Sequence, residues 1–152
     1  LGSVTGMVAG LGTITPASGS VSPAAAIVIG FSAGIICFYA TITIKQKLKI
    51  DDSLDVFPVH GVGGMLGSLL VGVFCASELG AFSGYGFGGD NTSIASQLEA
   101  QLIGISSVIL YTAIVTWILL KLVNVITGLR VDEEQEAIGL DLALHEEKGY
   151  DL

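Results

Sequence analysis

The chain has 152 residues, of which 51% are hydrophobic and only 13% charged, with a formal net charge of −8. A soluble domain carries roughly 25% charged residues, so this composition, with a mean hydropathy of +0.77, leaves much of the surface facing something other than water. The charge that exists is uneven. Residues 1–44 hold no Asp, Glu, Lys or Arg, and most acids sit in Asp51–Asp55 or after Arg130, so the net charge describes a wet tail and offers no basic patch for nucleic acid.

Taken in chain order, the first 15 residues read as a membrane helix cut short at its start, and the chain, which opens on Leu1 without a signal-peptide pattern, reads as a piece of a longer protein. Thr15–Ser20 is turn chemistry, and Ser22-Pro23 reads as a helix start with proline in the first turn. Three further apolar stretches reach the roughly 20 residues that a bilayer core requires. They are 21–44, closed by Lys45; 56–77, between Asp55 and Glu78; and 98–124, around an apolar centre at 100–120. The competing reading is buried helices of a soluble protein, which three full-length stretches in so short a chain disfavour.

Orientation follows from the basic residues. Lys45, Lys47 and Lys49 follow the second stretch, and Lys121, Arg130 and Lys148 follow the fourth. With four alternating helices all six fall on one side, predicting a cytosolic lysine loop and tail (131–152) and an external face for segments 16–22 and 78–99. The glycine-rich run at 84–89 lacks the Gly-Lys-Ser/Thr ending of a phosphate loop and reads as an ordinary loop. Cys37 and Cys75 show no metal-ligand spacing and read as small buried hydrophobes. No nucleophile–base pair, metal cluster or nucleotide loop is visible, so neither an enzyme nor a cofactor is expected.

Between Asp55 and Glu78 the one ionisable side chain apart from a cysteine is His60, expected about two turns inside the membrane. An ionisable group at that depth marks a pathway by default. The alternative is a neutral histidine bonding a neighbouring helix. Gly61, Gly63, Gly64 and Gly67 leave space beside the ring, and Gly64, Ser68 and Gly72 form a row of small residues that permits close helix packing. Val56 lies four residues before His60 and is expected on the same face. An apolar wall with one imidazole disfavours a bare cation and suits a small, weakly polar solute.

The run Asp51-Asp-Ser-Leu-Asp-Val-Phe-Pro-Val-His-Gly-Val-Gly-Gly resembles the signature of the ammonium transporter (Amt/Mep/Rh) family. So do Gly10-Leu-Gly-Thr-Ile-Thr-Pro upstream and the tail from Gly128 to Tyr150, which is similar to the Amt branch. The resemblance covers essentially the whole chain. It implies an all-α polytopic membrane protein, with residues 1–130 as the last four of eleven helices and 131–152 as a cytosolic regulatory tail. It also implies a homotrimer in the plasma membrane with one hydrophobic pore per subunit.

By that resemblance His60 matches the second of twin pore histidines and Val56 an apolar pore-lining position. Asp55 matches a family acid near the cytosolic mouth, expected to cap its helix and support the pore mouth. Ammonium would lose its proton outside and cross as ammonia, with proton relay through the histidines. The first pore histidine, the phenylalanine gate and the outer recruitment site lie upstream in the family.

The tail is acidic but carries Ala137, Ile138, Leu140, Leu142, Leu144 and Tyr150, which suits docking on a surface better than a solvated disordered tail. The resemblance implies that it gates the subunits, with Gly139 at a required bend and Asp141 as the acid after it. The family's His-Gly-Glu stands here as His145-Glu146-Glu147, and Ala143 replaces a threonine that some members phosphorylate. A PII-class signalling protein at the cytosolic face is a partner the resemblance implies. The alternatives are an ammonium sensor signalling through its tail and a purely structural membrane subunit.

Overall fold

The computed structural model describes residues 2–149, so Leu1, Tyr150 and the last two positions of the tail lie outside the described residues. Six α-helices follow one another: α1 (Gly2–Ile14), α2 (Pro23–Ile42), α3 (Gly63–Phe74), α4 (Ile94–Ile126), α5 (Glu133–Ile138) and α6 (Leu140–His145), and no strand occurs among the described residues. Two helices have π-helical ends. Thr43–Lys47 extends α2, and Phe57–Val62 leads into α3. With these extensions, Pro23–Lys47, Phe57–Phe74 and Ile94–Ile126 are long and apolar enough to cross a membrane. The chain forms two compact units, 1–107 and 108–152.

In the first unit α1, α2 and α3 pack through positions four residues apart. Ala9, Thr13 and Ala17 are buried on the first segment, Ala25, Ile29, Ala33 and Cys37 on the second, and Val59, Gly63, Gly67, Val71 and Cys75 on the third. Four-residue spacing stacks side chains on one face of a helix. Small side chains there bring backbones into contact, the main source of helix association where burial from water contributes little. A Cβ on Gly63 would meet Thr13 Oγ1 at 2.8 Å and Cys37 Sγ at 3.3 Å, and one on Gly67 would collide with the Thr13 carbonyl oxygen.

The packed row is therefore Gly63–Gly67, not the expected row of Gly64, Ser68 and Gly72. Gly64 borders open space, and Gly72 packs against Leu98 and Gln101 of α4. The contacts set the choice: Thr13 and Cys37 close on Gly63 and the Thr13 backbone on Gly67, whereas no atom approaches Gly64.

Helix ends are satisfied locally. Ser22 caps α2 by accepting from the Ala25 amide at 3.4 Å, with Pro23 in the first turn. At the far end of α3, the Gly84 amide donates to Ala76 O and the Gly86 amide to Cys75 O, each at 2.8 Å. The glycine-rich loop thus covers carbonyls that a helix end leaves unpaired. The same loop donates from the Tyr85 amide to Ser20 O at 3.2 Å. It is fastened to the start of α4 by Gln97, whose Oε1 accepts from the Gly88 amide and from Asn91 Nδ2, both at 3.1 Å.

In the second unit, residues 108–126 of α4 are mostly apolar and almost entirely exposed. Lys121 Nζ lies 5.9 Å from the centre of the Trp117 ring, a cation–π contact of the kind found where a helix leaves an apolar medium. At ~1.5 Å per residue, the 33 residues of α4 exceed a bilayer core of about 30 Å. In the tail Gly139 ends α5 and starts α6 at φ +99, a conformation open to glycine and strained for other residues. Its amide donates to Gln135 O at 3.1 Å and its carbonyl accepts from Ala143 N at 2.9 Å. Asp141 falls in the first turn of α6, where the helix dipole favours an acid.

Arg130 grips Glu136 through two bonds, 2.8 Å from Nε and 2.7 Å from Nη2. These bonds hold the Glu136 carboxyl below the usual carboxylate range; desolvation opposes them and the guanidinium charge adds to them. A lowered folded value means the pair's contribution is complete above the unfolded pKa and disappears as pH falls through the folded one. A carbon-detected titration of Glu136 is expected to show a midpoint below that of free glutamate, returning to it in Arg130→Gln. An unchanged midpoint in that variant would refute the pairing.

Candidate functional site

The segment that leads into the third apolar span begins with three acids, and the structure gives them different tasks. Asp52 holds the helix start: its Oδ1 accepts from the Val56 amide at 2.9 Å and its Oδ2 from the Phe57 amide at 2.8 Å. The cap expected at Asp55 is therefore made by Asp52. Asp55 adopts a left-handed backbone, φ +55, which turns its carboxylate away from the helix start and onto Lys45, with Nζ to Oδ1 at 2.9 Å. Loss of a capping carboxylate typically costs ~1 kcal/mol. Asp52→Ala in the full-length protein is accordingly expected to lower its thermal midpoint while Asp51→Ala leaves it unchanged, as read by a melting assay in detergent.

His60 follows within the π-helical stretch, about one turn from the helix start and not two. Its side chain is exposed. The ring borders α1, since a Cβ built on Gly12 would lie 3.8 Å from His60 Nδ1. On its own helix, Gly61 lets the Phe57 ring fold down to 3.0 Å from where a Cβ would stand, while the space beside Gly64 is open. The neighbouring side chains Pro58 and Val59 are buried against the helix packing. One imidazole thus stands on an exposed face shaped by Gly12, Gly61 and Gly64. Val56 is 51% exposed, and the π stretch offsets it from His60 relative to a regular α-helix.

The structure brings His60 and Gly12 together and joins Asp55 to Lys45. Gly139 and Asp141 belong to the tail in the second unit. Sequence reasoning missed the roles of Asp52, Lys45 and Gly12. The signals were present as an acid three residues ahead of Asp55, a basic residue closing the second apolar stretch, and a glycine in the Gly10–Pro16 run.

These features define an all-α polytopic membrane protein with an ionisable residue at the edge of a membrane-length helix. The model of the Ammonium Transporter Family matches residues 1–150, and the chain belongs to that family. Among curated proteins it is 45% identical over 150 residues to the ammonium transporter Amt1 of Archaeoglobus fulgidus, covering 99% of this chain and 37% of that protein. It is 45% identical over 159 residues to an ammonium transporter of Mycobacterium tuberculosis, covering 100% of this chain and 32% of the relative. With an ammonium transporter of Bacillus subtilis it shares 40% over 151 residues, 99% of this chain and 36% of the other. The chain thus spans about a third of the length of these relatives.

Proposed function

We propose that this chain supplies one wall of an ammonium transport pore, with His60 as the group that meets the permeating species. The observation that carries the reading is the exposed imidazole on a membrane-length helix, beside Gly12 and the open space at Gly64. Family membership supports ammonium as the transported species.

The chemistry follows from the surroundings. A cation taken into an apolar conduit without partners meets a large desolvation penalty, whereas its conjugate base does not. Ammonium would leave its proton at the outer mouth and pass as ammonia, hydrogen-bonding to the ring and to its first-half counterpart. Imidazole both accepts and donates, so it also offers a route for the proton. Val56 lines the path and Asp55 supports the inner mouth. The protein would lie in the plasma membrane as a homotrimer, with the lysine loop and tail in the cytosol. Gly139 and Asp141 shape the tail so that Ile138, Leu140, Leu142 and Leu144, all exposed, dock on subunit surfaces and gate them. A PII-class protein would meet the same face.

The test is uptake of labelled methylammonium by proteoliposomes holding the full-length protein. Saturable uptake, competed by ammonium, is the expected result. No flux, with ligand-dependent movement of the tail, would replace transport by sensing.

A further inference from the structure

The lysine that closes the second apolar span and the acid that opens the third form a clamp beside the helix carrying His60. Lys45 sits in the π-helical end of α2, Thr43–Lys47, and reaches ten residues along the chain to Asp55 Oδ1 at 2.9 Å. The pair is partly sheltered, with side chains 38% and 20% exposed. Asp55 is one of three non-glycine residues with positive φ among those described. Aspartate reaches that conformation more readily than most L-residues, and local contacts select it. Three contacts surround it: the Asp55 amide donates to Asp52 O at 3.2 Å, the Asp55 carbonyl accepts from the Val59 amide at 3.0 Å, and the Lys45 ammonium holds the carboxylate. The next backbone amides, Val56 and Phe57, are held by Asp52, and His60 follows one turn on.

We infer that Lys45 is a positioning residue for His60: through Asp55 it fixes the left-handed turn that sets the entry of the π-helical stretch, and so sets the histidine ring against Gly12. This rests on the reading of His60 as the pore residue. Without Lys45 the helix entry keeps its Asp52 cap and its backbone bonds but loses its side-chain tie to the end of α2 and can turn against that helix. Rotation there would shift a ring one turn away without unfolding the helix. Lys47 and Lys49 are exposed and carry no such link in the hydrogen bonds described.

The experiment uses the full-length transporter in proteoliposomes, reading methylammonium uptake against pH. Lys45→Met is expected to lower the maximal rate about tenfold, short of the roughly hundredfold that a full 1 Å misplacement of a reacting group can cost, and to shift the midpoint of the pH profile. Lys45→Arg is expected to restore both. In an Asp55→Gly background, where glycine needs no help to hold positive φ, adding Lys45→Met is expected to have no further effect. Wild-type uptake in Lys45→Met would overturn the inference. So would lost uptake with an unmoved pH profile, which would make Lys45 merely structural. If His60→Ala itself transports as wild type, the pore reading fails and the inference with it; if His60→Ala is impaired and Lys45→Met is not, only the inference fails.

Discussion

Gly67→Ala in the full-length protein is expected to remove most of the folded, monodisperse material recovered in detergent and to lower the thermal midpoint of what remains. Helix propensity argues for the opposite result, because alanine stabilises a helix interior over glycine by about 1 kcal/mol. Packing decides the sign. The added methyl would occupy the place of the Thr13 carbonyl oxygen and come within 3.3 Å of Pro16 Cδ. A backbone carbonyl has no rotamer to escape into, so α1 and the third span must separate. Overpacking of a tight core costs about 1–3 kcal/mol, and loss of the Ala9–Thr13–Ala17 seam would add to it. Gly64→Ala provides the contrast: it gains the same propensity, meets no atom within 4 Å, and is expected to keep the folded fraction. Equal melting of Gly67→Ala and wild type, measured by fluorescence-detected size exclusion, would refute the close approach of these helices.

His60→Ala is expected to change transport far more than stability. The ring is exposed and makes no hydrogen bond among those described, so its removal leaves no buried gap. What it removes is the polar group on an apolar wall. Loss of a group that binds in transit and moves a proton corresponds to a reduction of about a hundredfold or more in rate, read as ammonium-evoked current and methylammonium uptake. His60→Glu is expected to retain part of the activity, because a carboxylate also accepts and releases a proton. Wild-type current and uptake in His60→Ala would remove the histidine from the mechanism.

The features legible in the sequence were those governed by length, composition and local capping. Apolar stretches announced the membrane-length helices, and Ser22-Pro23 announced the start of α2. The helices themselves run somewhat differently: α4 begins at Ile94 and ends at Ile126, since the Ser93 and Ser96 hydroxyls and Gln97 give the chain a helical start ahead of the apolar core. Register was not legible. With glycine at 61, 63, 64 and 67, composition offers several equivalent small-residue rows, and only contact with neighbouring helices distinguishes Gly63 and Gly67, which meet Thr13, from Gly64, which meets nothing.

The acids at 51, 52 and 55 posed the same difficulty. Two of them lie within reach of the first helical turn, and the family resemblance favoured Asp55. The backbone turn at Asp55 reverses that choice by sending its carboxylate to Lys45 and leaving the amides to Asp52. Gly12 beside His60 was illegible for a different reason, because contacts between helices depend on rotation about each axis, which the spacing of small residues along one helix does not fix.

A structure of the full-length protein in a lipid nanodisc would bear most directly on the central claim that His60 faces the permeation path. Both ring nitrogens are expected to open into a narrow apolar conduit enclosed by protein, with Gly12 and Gly64 at its wall. An imidazole packed against acyl chains, or standing in bulk water beyond the bilayer, would contradict it.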